Sequence, residues 1–167
     1  MMTKLIIIRG NSGSGKTTLA RNLQLLLGKN AMLVSQDMIR REMMRTPDGP
    51  ETLIIPLIIE IVRYGHTVCP YIIIEGIFKG EWYSEMFEQL VTLHEGKVLA
   101  YYFELTFEET LRRHQTRDKA QEFGEEAMHR WWNGKDYIDF LNEQTLTDTD
   151  DLSMILDKIK GDLKCLN

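Results

Sequence analysis

Apolar residues follow two alternating patterns along this chain. Short runs without polar alternation predict parallel strands covered on both faces, whereas apolar residues at helical spacing predict amphipathic helices. The predicted strands are residues 5–8, 31–35, 71–74, 98–103 and a short fifth at 143–147. The predicted helices are residues 16–27, 37–44, 51–64, 81–94, one that begins at 107, and 150–163.

The order of these elements predicts the fold class. Strands and helices alternate as βαβαβαβα, which is the pattern of a doubly wound parallel sheet with helices on both faces. Residues 111–132 are rich in charge and predict a helix pair or a hinged flap. Because we find no repeat, linker or low-complexity tract, we expect one domain over residues 1–167.

Composition narrows the classes of function. A length of 167 residues with 43% apolar content suits one compact domain, and a net charge of −5 argues against a nucleic-acid partner. Cys69 and Cys165 match no metal-ligand spacing and predict ordinary thiols. The apolar stretch at residues 5–8 is too short for a signal or a membrane span, so we expect a cytoplasmic protein. A monomer and a homodimer both remain open.

A glycine-rich loop carries the strongest functional signal. Residues 10–17 match the phosphate-loop pattern G-x-x-x-x-G-K-[ST], between a predicted strand and a predicted helix. Its backbone amides and helix N-terminus would hold phosphate, Lys16 would reach the β- and γ-oxygens, and Thr17 would bind magnesium. The predicted nucleotide-binding residues are Gly10, Asn11, Ser12, Gly13, Ser14, Gly15, Lys16, Thr17 and Thr18. The Asn-Lys-x-Asp tetrad of GTP switches is absent, so the expected cofactors are ATP and Mg²⁺.

Asp37 follows the second predicted strand, at the edge of the sheet where ligands bind in such folds. It is a candidate catalytic base that accepts the proton of an attacking hydroxyl, and Arg40 could bind an anionic group of the acceptor. An aspartate before a helical segment could instead serve only as an N-cap. Both interpretations remain open from the sequence.

Glu75 ends the third predicted strand and is followed by Gly76, which permits close approach of a ligand. Phosphate-loop enzymes often place an acidic residue here, to hold magnesium or to orient the nucleophile. Glu75 is therefore a candidate magnesium and substrate residue together with Thr17. The alternative is a structural carboxylate paired with a cation at a sheet edge.

Three arginines lie close together after the fourth predicted strand. They are Arg112, Arg113 and Arg117, and at helical spacing Arg113 and Arg117 would share one face. Arginines that close over the phosphates would stabilise the charge on the transferring group. We therefore predict Arg113 and Arg117 to be catalytic, with a solvated helix face as the alternative. The four histidines show no metal spacing, and Trp131 and Trp132 predict either a pocket wall or core packing.

These motifs together resemble one group of enzymes. Residues 10–17, 36–40, 74–76 and 112–117 look like those of small P-loop kinases such as chloramphenicol phosphotransferase, the zeta-toxin kinases, gluconate kinase and the kinase domain of phage-type polynucleotide kinase. The resemblance implies a three-layer α/β/α fold with five parallel strands in the order 2-3-1-4-5. It also implies a mobile arginine-rich lid over about residues 112–132, and an aspartate base at Asp37.

The sequence therefore predicts an ATP-dependent kinase acting on a hydroxyl of a small metabolite, sugar nucleotide, nucleoside or antibiotic. A nucleoside monophosphate kinase is the first alternative, although residues 75–79 lack the Asp-Gly-x-Pro-Arg segment of such enzymes. An ATP-binding regulatory module without acceptor chemistry is the second. Residues 45–66, the expected acceptor-binding stretch, carry no signature of a particular substrate, so the acceptor stays open.

Overall fold

The computed structural model describes residues 2–116 and 122–166, and a sheet of five strands forms its centre. The strands are β1 (Lys4–Gly10), β2 (Ala31–Ser35), β3 (Tyr71–Gly76), β4 (Val98–Phe103) and β5 (Gln144–Leu146). They pair in parallel in the order β2-β3-β1-β4-β5. The predicted fold class and strand order are confirmed.

Helices cover both faces of this sheet. They are α1 (Lys16–Leu27), α2 (Ile54–Val68), α3 (Gly80–Leu93), α4 (Phe107–Gln115), α5 (Glu125–Trp131) and α6 (Leu152–Cys165). The second of these begins and ends later than the predicted 51–64, and Pro56 lies in its first turn, where a missing amide is tolerated. No helix within the described ranges is both long and apolar enough to cross a bilayer.

Strand β1 shows why its apolar run has no polar alternation. Leu5 and Ile7 pack into a core cluster with α2 and α3, whereas Ile6 and Ile8 pack into a second cluster with α1 and α6. All four side chains are fully buried. Alternate residues of a strand point to opposite faces, so a central strand of a three-layer fold is apolar at every position.

One predicted helix has a different form. Residues 37–44 were expected to begin an α-helix, but Met38–Met43 forms a π-helix, in which the Met44 amide donates to the Ile39 carbonyl five residues back. Arg40 lies 3.3 Å and Arg41 lies 3.4 Å from the Asp37 carboxylate, which precedes this turn. Single π-helical turns occur frequently at functional sites.

Candidate active site

The phosphate loop connects β1 to α1, and its glycines adopt the backbone that the motif requires. Gly13 and Gly15 have φ of +79° and +107°, a region that residues with a side chain rarely adopt. Helix α1 begins at Lys16, so its N-terminal amides face the loop. The Lys16 ammonium donates to the Asn11 carbonyl oxygen at 2.7 Å, which holds it across the loop.

Gly13 also lies directly against α4. A Cβ built on it would meet the carbonyl oxygen of Thr110 at 2.6 Å. The loop and the helix that follows β4 are therefore in contact through the backbone, with no room for a side chain between them.

Gly13→Ala is expected to destabilise the protein by more than the backbone strain alone, which costs about 1–2 kcal/mol for a residue in the left-handed region. Gly96→Ala is the control, because Gly96 has a similar φ of +74° and nothing within 4 Å of the added Cβ. Urea unfolding of both variants measures the difference. Equal losses in the two variants would show that α4 moves away from the loop without cost.

Glu75 lies inside the sheet, at the carboxyl end of β3, and is 2% exposed. Its two oxygens accept from the Thr17 hydroxyl at 3.3 Å, and Oε1 also accepts from the Ser35 hydroxyl. Since β3 is an interior strand, the sheet-edge alternative for Glu75 is wrong. Thr17 and Glu75 offer hard oxygen atoms beside the phosphate loop.

These oxygens fit a magnesium ion that is also held by nucleotide phosphates. Mg²⁺ in such sites is bound by one or two protein oxygens, phosphates and water rather than by a protein cage. In residues 2–116 and 122–166 no group of three or more His, Cys, Asp or Glu side chains could hold a metal by itself. The site therefore suits a metal that arrives with its nucleotide.

Glu75→Gln is expected to raise the magnesium concentration needed for half-maximal ATP binding by about 10–100-fold, because the variant loses a carboxylate next to the metal. Glu104→Gln is the control, since Glu104 follows β4 and pairs with Lys135 and Tyr137 instead. Calorimetric titration of ATP at several magnesium concentrations measures the effect. An unchanged magnesium requirement would remove Glu75 from the site.

Asp37 lies between two cavities. A small cavity of about 60 Å³ is lined by the phosphate loop with Glu75 and Gly76, and a larger one of about 680 Å³ extends away from the loop. Asp37 lines both, and its side chain is 46% exposed. It caps no helix, because no capping hydrogen bond from its side chain is present. The capping alternative for Asp37 is therefore wrong.

Two arginines hold the Asp37 carboxylate. Its Oδ1 lies 3.3 Å from Arg40 Nη2 and 3.4 Å from Arg41 Nε. Both guanidinium groups also line the larger cavity. The sequence analysis assigned a role to Arg40 alone, although Arg41, four residues after Asp37, would also lie on the face of Asp37.

Gln36, Asp48 and Tyr83 form a hydrogen-bonded group beside the larger cavity that the sequence analysis did not identify. Gln36 is buried, donates to the Asp48 carboxylate and the Tyr83 hydroxyl, and accepts from the Phe78 amide. The Tyr83 hydroxyl donates to Asp48. Burial is the larger cause that raises the pKa of Tyr83, and this hydrogen bond is the second. The cavity floor is therefore fixed by a neutral tyrosine and a buried amide.

The two described arginines of the segment that follows β4 have different surroundings. Arg113 donates to the Ser14 carbonyl oxygen at 2.9 Å and to Glu109, whereas Arg112 is exposed and, among the described residues, pairs with Glu109 alone. These two guanidinium groups, Arg112 first, lower the pKa of Glu109 to about 2, so Glu109 stays ionised. Arg117 lies outside the described residues and stays a prediction.

His114 and Phe123 line the small cavity at the phosphate loop. Their rings stack at 4.5 Å, and a ring nitrogen of His114 lies 2.9 Å from the Phe123 carbonyl oxygen. The Phe123 ring meets Trp131 edge-on at 5.1 Å. Sequence reasoning assigned no role to His114 or Phe123, because only the fold brings them to the loop.

Arg9, the residue before the loop, is fully buried within β1. Its guanidinium donates to the carboxylates of Glu143 and Asp136 and to the Phe78 carbonyl oxygen. Next to it, Asn11 exchanges two hydrogen bonds with the backbone of Asn133. The segment after α5 is thus fastened to both sides of Gly10.

Comparisons with known proteins agree with this architecture. Residues 5–133 match the family model described as the AAA domain. No curated protein matches the chain in sequence.

Several solved structures share the fold at low sequence identity. A gluconokinase from Sinorhizobium meliloti is 12% identical with a TM-score of 0.66, over 99% of this chain and 94% of that one. The tunicamycin resistance protein of Deinococcus radiodurans is 15% identical with a TM-score of 0.65, over 96% and 95%. The Mycobacterium tuberculosis APS kinase, in complex with AMPPNP and APS, is 14% identical with a TM-score of 0.64, over 98% of each chain. The chain belongs to the AAA domain family and has the fold of the small-molecule P-loop kinases.

Proposed function

We propose that this protein is an ATP-dependent phosphotransferase that moves the γ-phosphoryl group of ATP to a hydroxyl group of a small acceptor. The position of Asp37 carries the proposal, because its carboxylate lines both the cavity at the phosphate loop and the larger cavity beside it. A base at this junction can reach a hydroxyl that approaches the terminal phosphate. The larger cavity, at about 680 Å³, has the size of a small-molecule site.

Nucleotide binding is assigned to the loop and its two oxygen donors. The amides of residues 10–18 and the Lys16 ammonium would hold the β- and γ-phosphates, and the solved APS kinase of the same fold carries AMPPNP. Thr17 and Glu75 would hold magnesium, which when bound neutralises charge on the phosphate oxygens. Asn11, whose side chain is fixed by Asn133, would keep the loop in shape.

In the transfer step the acceptor oxygen forms a bond to the γ-phosphorus while the bond from that phosphorus to the β,γ-bridging oxygen breaks. ADP leaves with the electron pair, and the acceptor's proton passes to the Asp37 carboxylate. Arg113, which contacts the loop at Ser14, would stabilise charge on the transferring group. We assign the same role to Arg117, within a lid at about residues 112–132 of a single domain.

The test is ATP consumption with magnesium across a panel of hydroxyl acceptors, with Lys16→Ala as the blank. The panel contains nucleosides, sugar nucleotides, aminoglycosides, chloramphenicol, gluconate, an oligonucleotide with a 5′-hydroxyl, and nucleoside monophosphates. Turnover above the blank with one hydroxyl acceptor, and a phosphate ester as the product, is the expected result. A nucleoside diphosphate as the product would establish the monophosphate kinase instead. ATP binding without consumption by any acceptor would favour a regulatory module.

A further inference from the structure

The larger cavity beside Asp37 combines positive charge with aromatic surface. Four cationic side chains and three aromatic rings line it, although the chain as a whole carries a net charge of −5. The cations are Arg40, Arg41, Lys79 and Arg130, and the rings belong to Trp82, Phe123 and Trp131. Each of these two features has consequences for the ligand.

Three carboxylates, those of Asp37, Asp48 and Glu122, also line the cavity, and Lys79 pairs with Glu81 at 2.8 Å, so the positive charge left for a ligand lies at the arginines. The Asp48 carboxylate is occupied by neutral donors, namely Tyr83, Gln36 and the Gly49 amide. Arg130 makes no ion pair within the described parts of the chain. Nε of Arg41 is shielded from solvent and makes no hydrogen bond with any described residue, although it lies 3.4 Å from Asp37. Arg40 and Arg41 share the single carboxylate of Asp37, which leaves one positive charge that an anionic ligand group could neutralise.

The aromatic rings form two walls, and a cation lies beside each. The Lys79 ammonium is 4.6 Å from the centre of the Trp82 ring. On the other wall, the Arg41 guanidinium is 5.8 Å from the Phe123 ring and 6.0 Å from the Trp131 ring. Cavities walled by aromatic rings bind planar ligands through their large apolar surface.

We propose that the acceptor carries three chemical groups: the hydroxyl that reacts at Asp37, a planar aromatic or heteroaromatic ring held by the Trp82 and Trp131 walls, and an anionic group held by Arg40 and Arg41. This inference deepens the proposed function and rests on it for the hydroxyl alone. Ring and anion recognition can be measured without ATP. A neutral sugar lacks the planar ring and the anionic group, and an acid without an aromatic ring lacks the planar ring.

The experiment is calorimetric binding of six probe compounds to the full chain without ATP. Uridine 3′-monophosphate and mandelate carry a ring, a hydroxyl and an anionic group. Uridine and phenylethanediol lack the anionic group, whereas ribose 5-phosphate and glycerate lack the planar aromatic ring. One of the two complete compounds is expected to bind at least about tenfold more tightly than both of its incomplete partners, because a charge-assisted hydrogen bond or a stacked ring is lost in each. Tighter binding of uridine 3′-monophosphate would indicate a phosphate on the acceptor, and tighter binding of mandelate would indicate a carboxylate.

Two variants with matched controls locate the binding. Arg41→Gln and Trp131→Leu are each expected to weaken the complete compound at least about tenfold. Arg112→Gln, an exposed arginine on α4, and Trp132→Leu, which lies outside this cavity, should leave its affinity unchanged. Lys16→Ala should also leave it unchanged, which separates this cavity from the nucleotide site.

Several results would overturn the inference. The first is equal affinity for the complete and incomplete compounds, and the second is no binding of any of the six. The third is loss of binding by Lys16→Ala, and the fourth is an equal loss of affinity in the two variants and their controls. Failure of the proposed function gives a different result, since tight binding of a complete compound with no phosphoryl transfer would reject the reaction and keep the recognition.

Discussion

Asp37→Asn is expected to lower phosphoryl transfer by about 10²–10⁴-fold, which is the usual contribution of a general base. The asparagine keeps the size of the side chain and cannot accept the acceptor's proton. ATP affinity should remain within a few fold of that of the native protein, because the phosphate-loop amides, Lys16 and Thr17 are untouched. Turnover with the acceptor found by the panel and calorimetric ATP binding measure the two quantities.

The control for this prediction is Asp157→Asn, the same change at an exposed position of α6, which should leave turnover unchanged. Undiminished transfer by Asp37→Asn would show that the acceptor needs no base. An acceptor that is already an anion has this property, so that outcome would move the assignment to a nucleoside monophosphate kinase. Loss of ATP affinity together with transfer would instead show that Asp37 supports the loop.

Glu143→Gln is expected to lower the free energy of unfolding by about 3–5 kcal/mol, as when one partner of a buried ion pair is removed. Arg9 and Glu143 are both fully buried in their side chains and lie 2.8 Å apart. The variant leaves the Arg9 charge inside the protein with one anionic partner among the described residues, Asp136, whose side chain is 22% exposed. Urea unfolding followed by circular dichroism measures the loss.

Glu60→Gln provides the comparison, because Glu60 pairs with Arg63 on the surface, where ion pairs contribute at most about 1 kcal/mol. The double variant Arg9→Met with Glu143→Gln should be less destabilised than the sum of the two single variants, since the uncompensated charge is then removed. A Glu143→Gln protein as stable as the native one would mean that water reaches Arg9. Strict additivity in the double variant would mean that the pair is not coupled.

Those parts of the fold that depend on local pattern could be predicted from the sequence. The apolar runs of β1 and β3 are unambiguous because both faces of these strands are covered, and the phosphate-loop residues sit at fixed spacing between a strand and a helix. The position of Asp37 at a ligand cavity also follows from where parallel strands end. The strand order came from the resemblance, since the pattern alone does not determine how strands pair.

The remaining features depend on contacts between distant residues. Arg9 looks like the polar end of a strand, and only the fold shows that it binds Glu143 and Asp136 inside the protein. His114 and Phe123 meet over the loop for the same reason. The π-helix at residues 38–43 was predicted as an α-helix, from which it differs in that each hydrogen bond spans one more residue.

The fastening of Arg9 and Asn11 to the segment after α5 determines when the loop is completed during synthesis. Asn11 and Asn133 are 122 residues apart, and Arg9 and Glu143 are 134 residues apart. The phosphate loop leaves the ribosome well before its anchoring partners, which follow it by more than a hundred residues. A nascent chain stopped before residue 133 therefore lacks the hydrogen bonds that fix the loop. A loop fixed for nucleotide would therefore form only after residue 143 has been added, and bound nucleotide would stabilise chains that reach this residue over shorter ones.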